Sequence, residues 1–493
     1  MPRFGIGLNI GGRFTAFPTV ASRVDPSDLV LQSQGPQGVM AILAEGAGFF
    51  PPQKATILPF DVGAPARFIE PSDLLTSCEL ADVVFPDVAR GPGVIYVVPV
   101  NPSTAPTAPL RSATPVVLLT LTHQVYGLGG NTTTVKSESG PTKVTFVMPT
   151  SGGRSVTESY VYTSIIDLVN QINGRSALFR ATFSAEGTMT TFAATAITAL
   201  PAATAGTEPA AIAADWATAL NALNGIRVNA VHMATADTTL WASLAAYANL
   251  KRLRGFVGGD INSWGSLAAR TASEAALRAQ AAGLNDPRMM HATLGMNGHP
   301  GYLAAAKYAA LAASLDPSTP MTFKHLAGVE SLEAILDADT EVGSETGLLI
   351  NGLAPPVPDP LSPGTFVVSR GLSTWTGDDN LYRREQSVLA AVDGVQDNVE
   401  AVLRAFLGQE GSLPTVGRAR GAIKGVLDLC LQPSSRVRIN AYDPKSIVAS
   451  FSSDTVLRVG MRITPIPPIN FADATISLAR TQIDVSFDVS LVS

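Results

Sequence analysis

The residues able to do chemistry are few and scattered. The five histidines are His123, His232, His291, His299 and His325. None stands at HExxH spacing and no acidic cluster accompanies them, so a zinc hydrolase helix is not expected. His232 follows a strand-like run and His291 lies in another. Strand-end histidines in α/β folds can be catalytic, and a hydrogen-bonded structural imidazole is the ordinary alternative. The acidic residues Glu330, Glu333, Asp337, Asp339, Glu341 and Glu345 lack the DxDxDG spacing of a calcium loop and read as a solvated helix face and loop. Gly5, Gly7 and Gly11 have a fingerprint-like spacing, but no strand precedes them, as a dinucleotide site requires. Gly127, Gly129, Gly130 and Asn131 read as a turn between strand-like runs. There is no GxSxG elbow and no GxxxxGK[ST] loop. No catalytic residue, cofactor or metal is assigned.

Two cysteines, Cys78 and Cys430, stand far apart with no CxxC, which excludes zinc ribbons and thioredoxin-type sites. Both fall on apolar stripes, where a small buried hydrophobe is the default role. A disulfide, within or between subunits, is the alternative in an oxidising setting. A third group is basic. Arg418, Arg420 and Lys424 share one helical segment, and Arg383 and Arg384 lie on the other, long one. They read either as a site for an acidic partner surface or as a solvated face.

The surface that must carry these groups is unusual. Of 493 residues only 15% are charged, while 46% are apolar. An ordinary soluble domain carries about 25% charge. Subunit contacts are depleted in Lys, Glu and Asp, so the shortage points to extensive coverage by partners. The net charge of -6 lacks the basic footprint of a nucleic-acid binder. The opening Met1-Pro2-Arg3-Phe4-Gly5 runs into glycines, so no signal peptide is expected. The uncharged stretches 112–135 and 187–207 are too polar, and too broken by Pro and Gly, for a membrane span.

Length alone suggests about three domains at ~150 residues each. The pattern divides further. Residues 1–25, Gly-rich and without helical period, form an extended arm. Residues 26–110 are the first part of an α/β core, with strand-like runs at 29–31 and 94–100. A helix opens near Ser72 with the stripe Leu74, Cys78, Ala81, Phe85. Residues 111–214 form a β-rich unit, with strands at 116–121 and 143–148, ending in an Ala/Thr/Pro linker. Residues 215–353 alternate strands (226–231, 254–258, 288–294) with helices (240–250, 268–282, 302–313). That alternation implies a parallel α/β layer.

A Pro-rich hinge at 354–364 leads to the last domain, 365–470. Val388, Val392, Val395, Val399, Val402 and Phe406 step by 4 and 3 along one long helix, opening near Asp378 or Asp379 as N-cap. A second helix covers about 415–431 and stops at Pro433. Strands follow, in which Val437, Ile439 and Ala441, then Leu457, Val459, Met461 and Ile463, alternate with polar residues. The segment 471–493 is a C-terminal arm. Its residues Ile483, Val485, Phe487, Val489 and Leu491 alternate with Asp484, Ser486, Asp488 and Ser490, as a strand awaiting a partner edge does. The fold class expected is α/β and α+β multidomain: a β-rich inserted domain, an α/β middle domain and a C-terminal α+β domain with extended terminal arms.

The order of these pieces resembles the contractile-tail sheath proteins of myovirus-type phages. The resemblance covers roughly residues 120–493. It runs through Leu121-Thr122 to Gly127, Gly129, Gly130, Asn131 and Val135, then Asp286-Pro287-Arg288-Met289-Met290 and the Ala-rich 304–313. It continues through Asp316-Pro317, Met321-Thr322-Phe323-Lys324, Leu326-Ala327-Gly328-Val329 and 347–352. It is strongest from Phe366-Val367-Val368-Ser369-Arg370 through Trp375, Asp378 and Asp379 to the long helix with Arg383, Arg384 and Asp397. Many sheaths open on a Pro-Gly-Val-Tyr run; here Pro92-Gly93-Val94-Ile95-Tyr96 comes late.

The resemblance implies a structural subunit and no enzyme. Such subunits stack as six-fold rings around a tail tube protein, between a baseplate and a tail terminator. They contract to drive the tube through the host envelope. They assemble in the bacterial cytoplasm and end in the virion tail, with no nucleic-acid partner and no membrane insertion. The terminal arms would exchange between subunits by β-augmentation. The 365–470 domain, with Arg383, Arg384, Arg418, Arg420 and Lys424, would face the tube, and the β-rich unit would face outward. Arg458 and Arg462, four apart on one strand, match Asp484 and Asp488, four apart on another, both about 13 Å. If those strands pair, in one subunit or between two, both ion pairs form and fix the register. The rival readings are an α/β enzyme built on 215–350 and a non-contractile structural virion protein.

Overall fold

A computed structural model describes residues 38–46, 48–58, 67–68, 71–82, 92–112, 116–138, 142–149, 155–187, 198–199, 204–336, 347–359, 362–378, 380–409, 412–453, 456–468, 473–475 and 488–490. The chain first lays down β1 (Val39–Ala44), β2 (Thr56–Leu58), α1 (Asp73–Leu80) and β3 (Val94–Pro99). Ser72 caps α1, its Oγ accepting from Leu75 N at 3.2 Å. This is the start expected from sequence. The helix ends at its C-cap Ala81, and Phe85 of the expected stripe lies outside the described residues. Every residue of β1 is buried, as a strand covered on both faces must be.

The chain then leaves the core for a β-rich unit. It contains β4 (Thr107–Arg111), β5 (Val117–His123), β6 (Thr134–Glu138), β7 (Lys143–Pro149), β8 (Ser155–Val161), α2 (Ile165–Arg175), β9 (Phe179–Phe183) and β10 (Thr198–Ala199). Two antiparallel sheets, β4-β5-β9 and β10-β6-β7-β8, enclose a core that includes Leu119, Leu121, Phe146, Ile172 and Phe179. The strands leading in and out lie side by side. Thr104 N donates to Thr207 O at 2.9 Å, and Thr107 N to Thr204 O at 3.0 Å. Asn131 bonds both backbone groups of Gly206, and a Cβ at Gly130 would collide with Pro106. The glycine turn is therefore a clasp that closes the neck of the insertion.

On returning, the chain adds α3 (Ala213–Asn221), β11 (Ala230–Met233), α4 (Thr238–Lys251), β12 (Arg254–Gly258), α5 (Leu267–Leu284), β13 (Met289–Ala292) and α6 (Gly301–Ser314). The sheet order is β13-β12-β11-β1-β3-β2, with all neighbours parallel except β2. Each side of the sheet has its own core. Met40, Ile42 and Ala44 face α1 and α6, while Val39, Ala41 and Leu43 face α3 and α4. The run of alanines from Ala304 to Ala313 lets α6 lie close to the sheet, and a Cβ at Gly258 would overlap the Gly301 carbonyl.

After α6 come β14 (Pro356–Pro358), β15 (Phe366–Val368), α7 (Leu381–Arg384), α8 (Gln386–Arg404) and α9 (Leu413–Cys430). Val395, Val399 and Val402 of α8 pack on Ile423, Val426, Leu427 and Cys430 of α9. The N-cap of α8 is Glu385, where the sequence suggested Asp378 or Asp379. Glu385 pairs in a β-bridge with Leu372 and takes an ion pair from Arg370 at 2.8 Å, which breaks the helix there. Asp378 instead accepts from Trp375 Nε1 and Asn380 N and pairs with Arg383. Short ladders finish the chain: β16 (Ile439–Tyr442), β17 (Val448–Ser453), β18 (Val456–Gly460), β19 (Ile463–Pro465), β20 (Asp473–Thr475) and β21 (Asp488–Ser490).

Candidate assembly surfaces and the junction behind them

Residues far apart in sequence meet at the amino ends of β11, β12 and β13. Arg227 precedes β11, Arg252 and Arg254 flank the start of β12, and Arg288 precedes β13. They face Asp393, Asp397 and Glu400 of α8, spaced i, i+4, i+7 on one helix face. Arg288 forks onto Asp393, with Nη2 donating to Oδ1 at 2.8 Å and Nη1 to Oδ2. Arg252 forks onto Glu400 at 2.7 Å for both bonds, and Arg227 pairs with Asp397. Bidentate arginine pairs add direction to charge. Arg252 has φ 55, the left-handed C-cap that ends α4 and turns the chain into β12. Its hydrogen bonds hold the Glu400 carboxyl below the usual range. Arg254 is buried and donates to Ala312 O at 2.6 Å. Burial pushes its guanidinium down to about 10, still cationic at neutral pH, and the Asp393 charge opposes that shift. One side of α8 is thus riveted to the α/β layer, while the other packs on α9.

This arrangement decides which basic groups remain outward. Arg418, Arg420 and Lys424 of α9 are exposed, opposite the buried Ala419, Ile423 and Val426. Arg418 reaches back to Gln409 and Thr415, and Lys424 pairs with Asp428 at 2.7 Å. Arg383 and Arg384 sit on α7, away from that face. Arg383 stacks 4.9 Å over Trp375, and Arg384 donates to Ile350 O at 3.2 Å. The five cations therefore do not form one cluster.

Of the terminal arm, Ile483, Asp484, Val485, Phe487 and Leu491 lie outside the described residues. Asp488 and Val489 fall in β21, which pairs antiparallel with β20: Thr475 faces Asp488 and Ala474 faces Val489. Arg458 lies in β18, facing Ser450 of β17. Arg462 N donates to Ser446 Oγ at 2.8 Å. Within the described chain, Arg458 and Asp488 thus stand in different ladders. Cys78 and Cys430 are both free thiols, buried in separate cores, and no disulfide joins them. Burial pushes the Cys430 thiol up to about 11 and the Cys78 thiol higher still.

Hydrogen bonds tie the loops together at the place where an enzyme of this sheet type would bind its ligand. In a doubly wound sheet, ligands bind beyond the carboxyl ends of the strands where the order reverses, here between β1 and β11. There Asn101 accepts from Gly46 N at 2.7 Å and donates to Pro209 O at 2.9 Å. His232 is buried within β11, its Nε2 3.2 Å from Ser77 Oγ. His291 Nε2 lies 3.0 Å from Gln280 Oε1. Glu333, read from sequence as part of a solvated run, instead accepts from Asn262 N and Gly295 N and ties two loops together.

No family model matches the chain. A tail sheath protein of Bacillus phage SP01 is 25% identical over 173 residues, which is 35% of this chain and 28% of the length of that protein. A sheath tail protein from Listeria innocua superposes over 92% of this chain and 96% of its own, with TM-score 0.63 and 14% identity. One from Desulfitobacterium hafniense covers 88% of this chain and 94% of its own, with TM-score 0.60 and 13% identity. The mixed α/β fold is therefore similar over most of the chain to those of sheath tail proteins, and the chain resembles phage tail sheath proteins.

Proposed function

We propose that this chain is the structural subunit of a contractile tail sheath. It polymerises as stacked hexameric rings around a tail tube, between a baseplate and a terminator, and contracts to drive the tube through the host envelope. It acts without catalysis, assembles in the bacterial cytoplasm and functions in the virion tail. The observation that carries this reading is the likeness to a sheath tail protein along 92% of the chain. The low charge content supports it, since a sheath subunit is covered by neighbours on most sides. Electron microscopy of the purified chain with its tube protein tests it: sheathed tubes are expected, and dispersed monomers overturn it. A chain lacking 481–493 should stay folded and monomeric. Normal sheaths from that truncation would remove the arm-exchange part of the proposal, with Ile483, Val485, Phe487, Val489 and Leu491 as its strand. The register pairs of Arg458 and Arg462 with Asp484 and Asp488 then belong between subunits.

The tube-facing surface in this reading is the outer face of α9. Gly417 and Gly421 lie on it, mid-helix and exposed, with open space where a Cβ would stand. A helix-interior glycine costs about 1 kcal/mol relative to alanine. Among the described residues nothing lies within 4 Å of either missing Cβ, which leaves room for a partner backbone to approach closely. Gly417→Ala with Gly421→Ala should raise monomer stability by about 1–2 kcal/mol and impair sheath formation on the tube. Unimpaired sheath formation would remove α9 from the tube interface.

A further inference from the structure

One exposed aromatic is held in a backbone conformation that costs energy. Phe323 is 60% exposed, yet its φ is 55. It is the third residue of a turn in which Lys324 N donates to Met321 O at 3.0 Å, a position that favours Gly or Asn. Phe323 N donates to Val368 O at 2.8 Å, so the turn is pinned. A bulky residue in the left-handed region is a true outlier. Strain of this kind collects where recognition needs it.

The opposite face of the sheet carries a groove. Between α4 and α5 runs a groove of about 580 Å³, lined by Trp241, Ala242, Ala246, Ala279 and Gly283. Asp286 is the only charged residue of its lining. The knob is followed by Lys324 and the hole carries an acid, so the two are complementary in charge. Met321 and Leu326, which anchor the turn, belong to the core on the α6 side. Trp241 and Leu244 belong to the core on the other side. The knob cannot reach the groove of its own chain.

We infer that Phe323 of one subunit seats in the α4–α5 groove of a second copy. This inference rests on the sheath reading and deepens it by naming one contact between subunits. Knob and hole on opposite faces make a heterologous contact, which propagates into rings or helical stacks.

The test places a photo-crosslinking benzoylphenylalanine at position 323 of the full chain. Interchain crosslinks should map to 238–249 or 279–286, and crosslinks elsewhere, or none between chains, overturn the contact. Two variants give a second readout. Phe323→Gly accepts φ 55 freely, so its monomer should melt no lower than the parent. Its assembly threshold should rise at least about tenfold, or ~1.4 kcal/mol. Ala246→Trp fills the groove from an exposed helix position and should do the same. Assembly of Phe323→Gly at the parent threshold overturns the proposal. Electron microscopy separates the two readings. Sheaths with crosslinks mapping elsewhere leave the sheath reading and remove this contact; mapped crosslinks without sheaths do the reverse.

Discussion

Asp393→Ala should destabilise the protein by about 3–5 kcal/mol, the cost of leaving a buried charge without its partner. Arg288 and Asp393 are 9% and 11% exposed, so water cannot replace the lost carboxylate. Arg254, buried nearby and stabilised as a cation by Asp393, loses support at the same time. The neighbouring Arg252–Glu400 pair is 26% and 43% exposed and should matter far less, about 1 kcal/mol or below. The measurement is the urea midpoint of each variant. The double replacement Arg288→Met with Asp393→Leu is the control. Removing both partners should cost less than removing either, because an ion pair swapped for well-packed apolar side chains is often neutral. If Asp393→Ala costs no more than Glu400→Ala, the junction does not hold α8.

That junction also shows where sequence reading stops. Arg288 and Asp393 are 105 positions apart, and no local pattern links them. Asp393, Asp397 and Glu400 read only as the polar side of an apolar stripe. The stripe itself was legible because a 3.6-residue period survives in any context: Val395, Val399 and Val402 are buried as the spacing requires. The strand at Arg254–Gly258 was legible for the converse reason, as a short apolar run between helical periods. The N-cap at Asp378 was misread because a β-bridge from Leu372 to Glu385 overrides the local cap signal. Glu333 looked solvated because its partners, Asn262 and Gly295, come from other loops. Local period is written in neighbouring residues; an ion pair or a loop staple is written only in the fold.

Acidification below pH 6.5 should lower stability steeply, and three buried imidazoles set the slope. Burial pushes His123 and His291 down to about 4 and His232 down to about 3. His123 has a specific reason to resist a proton: its Nδ1 accepts from Val125 N at 2.9 Å, which leaves Nε2 to donate to Thr133 Oγ1 at 2.8 Å. Protonation would destroy the first bond. In the unfolded chain these groups titrate near 6.5, so the unfolded state takes up protons first as pH falls. Stability is therefore full above about 6.5 and is lost downward to the folded values. Each imidazole removes up to about 1.4 kcal/mol per pH unit, or roughly 3 kcal/mol by pH 4.5. Glu45, Asp73, Glu79 and Asp82 act in the opposite sense, since burial raises their carboxyls and the folded state holds those protons more tightly. Their contribution offsets part of the histidine slope, which is read between pH 7 and 5. Thermal midpoints across that range measure it. His123→Gln should cost stability at pH 8 and flatten the slope by about a third, as one of three equal terms. A midpoint that stays level from pH 7 to 5 would mean that the imidazoles are charged inside the fold, or that the segments holding them open to water before the core melts.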